Sequence, residues 1–155
     1  MSRVAASIDV PGLASEAESL WYDPIRWAAW IDGFKSVASL ADGWPAEGRL
    51  VWDSHPGGRG RVLERVTAYE ARVGQTLSVE AERLRGTQRV AVAPAGDHVP
   101  VTLELQYELK ERTPATRIVD LLFIRRQVEA SLQRTLAGFA RERRGDLEWE
   151  APESR

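Results

Sequence analysis

The stretch from Thr113 to Gly145 constrains this chain most, because it reads as one long amphipathic helix placed after a run of strands. Thr113 is suited to cap it, Pro114 to its first turn and Gly145 to its end. At 1.5 Å per residue the helix would be about 40 Å long. Ile118, Leu121, Leu122, Val128, Leu132, Leu136 and Phe139 fall on one stripe, with Arg126, Glu129, Gln133, Arg134, Arg141 and Glu142 on the opposite face. A helix patterned in this way needs an apolar surface to lie on.

The residues before it supply that surface. In "VPVTLELQYELK", Val101, Leu103, Leu105, Tyr107 and Leu109 take one face and Thr102, Glu104, Gln106, Glu108 and Lys110 the other, a period-2 strand. Five more strands precede it: "FKSVASLA", "EGRLVWDS", "GRVLERVTAYE", "QTLSVEAERL" and "TQRVAVAP". Turn signals at Asp42-Gly43, His55 to Gly58, Arg72 to Gly74, Arg85-Gly86 and Ala95 to Asp97 separate them, as in an antiparallel meander. At the N-terminus Val4, Ala6, Ile8 and Val10 alternate with Arg3, Ser7 and Asp9, a first strand ended by Pro11-Gly12. Two short helices follow. Asp23-Pro24 starts the second and Asp32-Gly33 stops it.

This order predicts an α+β chain whose curved antiparallel sheet wraps round the C-terminal helix, with two short helices after the first strand. One domain spans residues 1–147, and 148–155 form a tail ending in "EAPESR". A length of 155 residues suits one core rather than two.

Composition narrows the function classes. A net charge of −2 offers no basic excess for nucleic acid. Cysteine is absent, which removes disulfides and thiolate chemistry. His55 and His98 sit at turn signals without further ligands at metal spacing, so neither a metal site nor a Ser-His hydrolase is expected. "HPGGRG" lies between two strands, where a hairpin turn outweighs a phosphate cradle. No catalytic group and no cofactor stands out. No run approaches the ~18 apolar residues of a membrane span, and a cytoplasmic protein is expected, monomeric or homodimeric.

The strand order, with "YDPIRWAAWIDGFKSVASL", "DGWPAEGRLVW", "GRVLERVTAYE", "VTLELQYEL" and the long end helix, resembles the helix-grip fold of the START/Bet v 1-like (SRPBCC) superfamily, in particular its polyketide cyclase/dehydrase-like and lipid-transport branch. The resemblance covers nearly the whole chain. It implies a cavity between sheet and helix for an apolar or amphipathic small molecule of lipid, polyketide or isoprenoid type. A polyketide aromatase/cyclase is the alternative, and a protein-interaction or regulatory module the second.

Candidate residues follow from that geometry. Trp27 and Trp30 share one face of the second short helix, and indole combines broad apolar contact with one N–H donor. A membrane-docking role for this helix would want Lys/Arg neighbours, whereas Glu16, Glu18, Asp23 and Asp32 surround it. Trp52, Leu103, Leu105 and Tyr107 would face inward from strands, and Leu121, Leu122 and Val128 from the helix. Arg125 lies on the helix seam, where it would snorkel, pair with a strand carboxylate, or anchor a ligand carboxylate or phenolate. The parity of "RVLERVTAYE" stays open between Val62/Val66 and Leu63/Tyr69. Asp53 and Glu64 are therefore read as solvated, with cavity carboxylates as the alternative.

Overall fold

The structure, a computed structural model, describes residues 1–111 and 113–150, the last without its side chain. Most of the expected "EAPESR" tail lies outside the described residues. Strands β1 (Ser2–Pro11), β2 (Phe34–Leu40), β3 (Arg49–Ser54), β4 (Arg61–Glu70), β5 (Gly74–Glu80), β6 (Leu84–Val92) and β7 (His98–Leu109) form one antiparallel sheet. Its order is β1-β7-β6-β5-β4-β3-β2. The meander therefore folds in sequence, and the first strand closes it by pairing with the last.

Helices α1 (Ala14–Trp21) and α2 (Trp27–Trp30) flank a 3-10 turn, Pro24–Arg26. Asp23 caps that turn by accepting from the Ile25 N–H at 3.1 Å. Helix α3 (Pro114–Val119), a π-helical turn (Asp120–Ile124) and helix α4 (Arg125–Glu150) make up the long C-terminal element. The Thr113 hydroxyl accepts from the Thr116 N–H, so the expected cap is present.

The sheet turns one face inward. Val99, Val101, Leu103, Leu105 and Tyr107 of β7 are buried beneath α4 residues Val128, Leu132, Leu136 and Phe139. On β4 the inner residues are Val62 and Glu64, while Leu63 points out. That settles the parity the sequence leaves open. Glu18 of α1 anchors the β4–β5 turn, accepting from the Arg72 N–H at 2.9 Å, where Arg72 adopts φ +64°. Arg26 fixes the 3-10 turn to α4 through Asp146 (2.7 Å) and Glu142 (2.9 Å).

Three expectations need correction. Gly86 is not a turn residue but lies inside β6 opposite Tyr107. A Cβ there would stand 1.8 Å from the Gln106 carbonyl oxygen, so the strands pass too close for any side chain. Gly145 does not end the helix, which continues to Glu150. The inward stripe also shifts at the start of the long element. Its covered positions are Thr116, Asp120, Ile124 and Val128, one in four, while Ile118, Leu121 and Leu122 are exposed. A spacing of four drifts by about 40° per step on an ordinary α-helix. The π-helical turn takes up that drift, so a stripe extrapolated backwards from Leu132 at helical period leaves the true contact line.

Candidate functional site

A cavity of about 60 Å³ lies between the inner sheet face, α2 and α4. Its walls are mostly aromatic: Trp21, Trp27, Trp30, Phe34, Trp44 and Trp52, supplemented by Leu50, Leu77, Leu103 and Leu132. Five of the chain's six tryptophans line this space. Their rings interlock. Trp21 sits 4.8 Å from Trp30, both meet Phe139 edge-on, Trp27 stands edge-on to Trp44 at 5.5 Å, and Phe34 stacks on Trp52 at 5.2 Å. Such ring pairs add to the stabilisation from area burial and leave little slack.

The indole N–H groups divide into two kinds. Trp27 Nε1 donates to the Trp21 carbonyl at 2.8 Å, Trp44 Nε1 to the Tyr22 carbonyl at 3.1 Å, and Trp52 Nε1 to Glu64 Oε1 at 2.6 Å. Trp30 Nε1 is buried and has no acceptor among the described residues. A buried donor left unpaired costs roughly 1–3 kcal/mol, so an acceptor brought to it is favoured.

Polar side chains occupy the same cavity: Asp32, Arg59, Glu64, Gln75, Gln88 and Thr135. Burial pushes the Glu64 carboxyl up from its ordinary value of 4.5, opposed by the Trp52 hydrogen bond and the Arg59 charge. Burial pulls the Arg59 guanidinium down, while Glu64 and Asp32 favour its cationic form. Asp32 is held below its ordinary value chiefly by Arg134, which donates at 3.0 and 3.1 Å, and by Ser131 at 2.8 Å. Its own N–H donates to Thr135 Oγ1 at 3.0 Å, so Asp32 ties the end of α2 to α4. Gln75 Nε2 donates to the Pro45 carbonyl at 2.9 Å and holds the Trp44 loop over the cavity.

Glu64 makes stability depend on pH in a defined direction. A carboxyl raised in the folded state binds its proton more tightly there than in the unfolded chain. Its contribution is therefore complete below the unfolded value and is lost as pH rises through the folded one. Glu64→Gln keeps an acceptor for Trp52 but cannot ionise. Its melting temperature relative to the parent should rise as pH is raised from 4.5, then level off. A difference that stays flat with pH in thermal melts would mean that Glu64 is not buried as described.

Of the residues expected at the site, Trp27, Trp30, Trp52 and Leu103 line the cavity. Leu105 and Val128 are buried in the adjoining core. Tyr107 is buried too, and its hydroxyl donates to Asp120 Oδ1 at 2.6 Å on a separate, polar depression beside Ser2, Thr116 and Arg117. Leu121, Leu122 and Arg125 lie at the surface, with Arg125 Nη2 donating to the Arg3 carbonyl at 3.3 Å. Asp53 faces out and pairs with Arg61 at 2.9 Å. Arg59, Trp44, Gln75, Gln88 and Thr135 were not foreseen. Gln75 carried a signal, since it shares inward parity with Leu77 and Val79 on β5. Arg59 carried none, because a glycine-rich turn has no parity.

Residues 1–143 match the family described as polyketide cyclase/dehydrase and lipid transport. No curated protein sequence matches the chain. Among solved structures, the protein TTHA0849 from Thermus thermophilus superimposes with a TM-score of 0.78 at 18% identity, covering 94% of this chain and 99% of that one. The Zhui aromatase/cyclase from Streptomyces sp. R1128 gives 0.72 at 13% identity, covering 99% and 97%. A START superfamily protein from Mycobacterium smegmatis gives 0.65 at 21% identity, covering 95% and 97%. At these identities the likeness is one of fold.

Proposed function

Since the chain belongs to the polyketide cyclase/dehydrase and lipid transport family, we propose that its tryptophan-lined cavity binds an apolar or amphipathic small molecule that brings a hydrogen-bond acceptor to Trp30 Nε1. The observation that carries this reading is that buried donor, which has no acceptor among the described residues while the Trp27, Trp44 and Trp52 indoles donate within the protein. Glu64, Arg59 and Gln88 give the same space a polar side, suited to a carbonyl, hydroxyl or phenolic oxygen on a largely apolar body. A lipid, polyketide or isoprenoid fits that description.

A cavity of about 60 Å³ is small beside the roughly 300–1,000 Å³ of drug-sized ligand sites. Binding therefore requires the rings to part, and the Asp32 tie between α2 and α4 is the joint that has to yield. Native mass spectrometry of protein purified from a heterologous host, with thermal shifts against fatty acids, quinones and aromatic polyketides, tests the reading. A bound species or a raised melting temperature supports it. With such a ligand in hand, Trp30→Phe should weaken affinity about threefold to tenfold, the worth of one hydrogen bond.

Glu64 favours a second reading, an aromatase/cyclase. A buried carboxyl held towards its protonated form is suited to give a proton to a substrate oxygen during water loss. Glu64→Gln would then abolish turnover of a poly-β-ketone while leaving its binding intact. A parent protein that binds the poly-β-ketone without turning it over would leave the binding role alone.

A further inference from the structure

The criterion that fails at the Trp21–Trp30 helices is met elsewhere. Ile118, Val119, Leu121, Leu122 and Phe123 are each 44–65% exposed, and they fill five of six consecutive positions. Scattered surface hydrophobes are ordinary, but a contiguous group marks an interaction surface. Arginines frame this one: Arg117 on one side, Arg125 and Arg126 on the other, all exposed. Between Thr113 and Val128 the only carboxylate is Asp120, which accepts from Tyr107 and Ser2 and so is turned to the sheet. The segment thus presents an apolar ridge with a cationic rim, on a chain whose net charge is −2.

We propose that α3, the π-helical turn and the start of α4 dock on an anionic lipid surface, with Leu121, Leu122 and Phe123 entering the interface and Arg117, Arg125 and Arg126 meeting the headgroups. Apolar burial and cation attraction together hold helices of this pattern in the plane of a membrane. The π-helical turn produces the surface. By keeping Asp120 and Ile124 on the contact line it turns the neighbouring large side chains outward. A second copy of this chain is the weaker occupant. Two such faces paired about a two-fold axis would set arginines against arginines, with no carboxylate in either segment except the Asp120 already engaged.

Vesicle flotation tests this, using the full chain with vesicles of phosphatidylcholine alone and of phosphatidylcholine mixed equally with phosphatidylglycerol. The protein should float with the anionic vesicles, not with the neutral ones, and should be released at about 1 M salt, where screening falls to about 3 Å. Replacing Arg125 and Arg126 together by glutamine should weaken binding about 30-fold, near fivefold for each cation at an anionic surface. Leu122→Ser with Phe123→Ser should abolish flotation. These side chains lie outside the cavity, so ligand-induced thermal shifts should be unchanged, which separates this test from that of the binding site. No flotation of the parent, equal flotation on neutral vesicles, or flotation indifferent to the variants would overturn the proposal. A dimer in light scattering that the double serine variant dissociates would also overturn it, assigning the face to a second copy.

Discussion

Replacing Gly138 by valine should lower stability by about 3 kcal/mol or more. Gly138 is buried on α4, where a Cβ would stand 2.8 Å from the Trp30 carbonyl oxygen and 3.2 Å from its Cα. Both are backbone atoms, so no side-chain rotation relieves the contact. The helix must move off α2, which pulls Phe139 from Trp30 and breaks the Asp32–Thr135 bond. Overpacking of this kind costs typically 1–3 kcal/mol, and a rigid neighbour places it at the upper end. Urea unfolding should show a lower midpoint with an unchanged slope. Gly145→Ala is the control on the same helix. A Cβ there meets nothing, the position is exposed, and stability should rise by up to about 1 kcal/mol.

Trp52→Ala should be more severe, at about 4 kcal/mol or more. It removes a buried aromatic ring stacked on Phe34, a loss of about 3–5 kcal/mol. It also strips the buried Glu64 carboxyl of its 2.6 Å donor, which adds about 1–3 kcal/mol. Trp52→Phe keeps most of the ring and isolates the second part. In a Glu64→Leu background no carboxyl remains to be orphaned, so Trp52→Phe should become nearly neutral. Denaturation of the four proteins in this cycle measures the coupling. Additive effects would show that the Trp52–Glu64 bond contributes nothing to stability.

Much of this architecture was legible because both periodicities are strong. The alternation from Val99 to Leu109 and the stripe from Val128 to Phe139 each define one buried face, and burial of one demands the other. The aromatic part of the site was legible for the same reason, since Trp27 and Trp30 are a turn apart on a short helix over the groove. What escaped depends on features without a period. Trp44 and Arg59 sit in loops, where residue spacing does not determine direction. The Asp23-Pro24 break separates Trp21 and Tyr22 from Trp27 and Trp30 in sequence, yet Trp21 joins Trp30 directly across it. Glu64 lay on a strand with apolar residues at both parities, so alternation alone could not orient it. Arg125 shows the limit of a stripe. Seven residues before Leu132 on α4 it keeps the helical phase, yet it is exposed and reaches the Arg3 carbonyl on the edge strand β1, because a long side chain near the helix start snorkels past the sheet.

The placement of the tryptophans gives the cavity an internal reporter. Five line it, and the sixth, Trp149, is 84% exposed. In a Trp149→Phe variant almost all indole emission therefore arises at the cavity wall. Titrating this variant with a long-chain fatty acid, a naphthoquinone and a polycyclic phenol should give, for at least one of them, a saturable change in emission. That change should be weakened by Trp30→Phe. If none of the three alters the emission of the folded variant at any concentration short of insolubility, the aromatic cluster is a closed core and the proposed binding site does not exist.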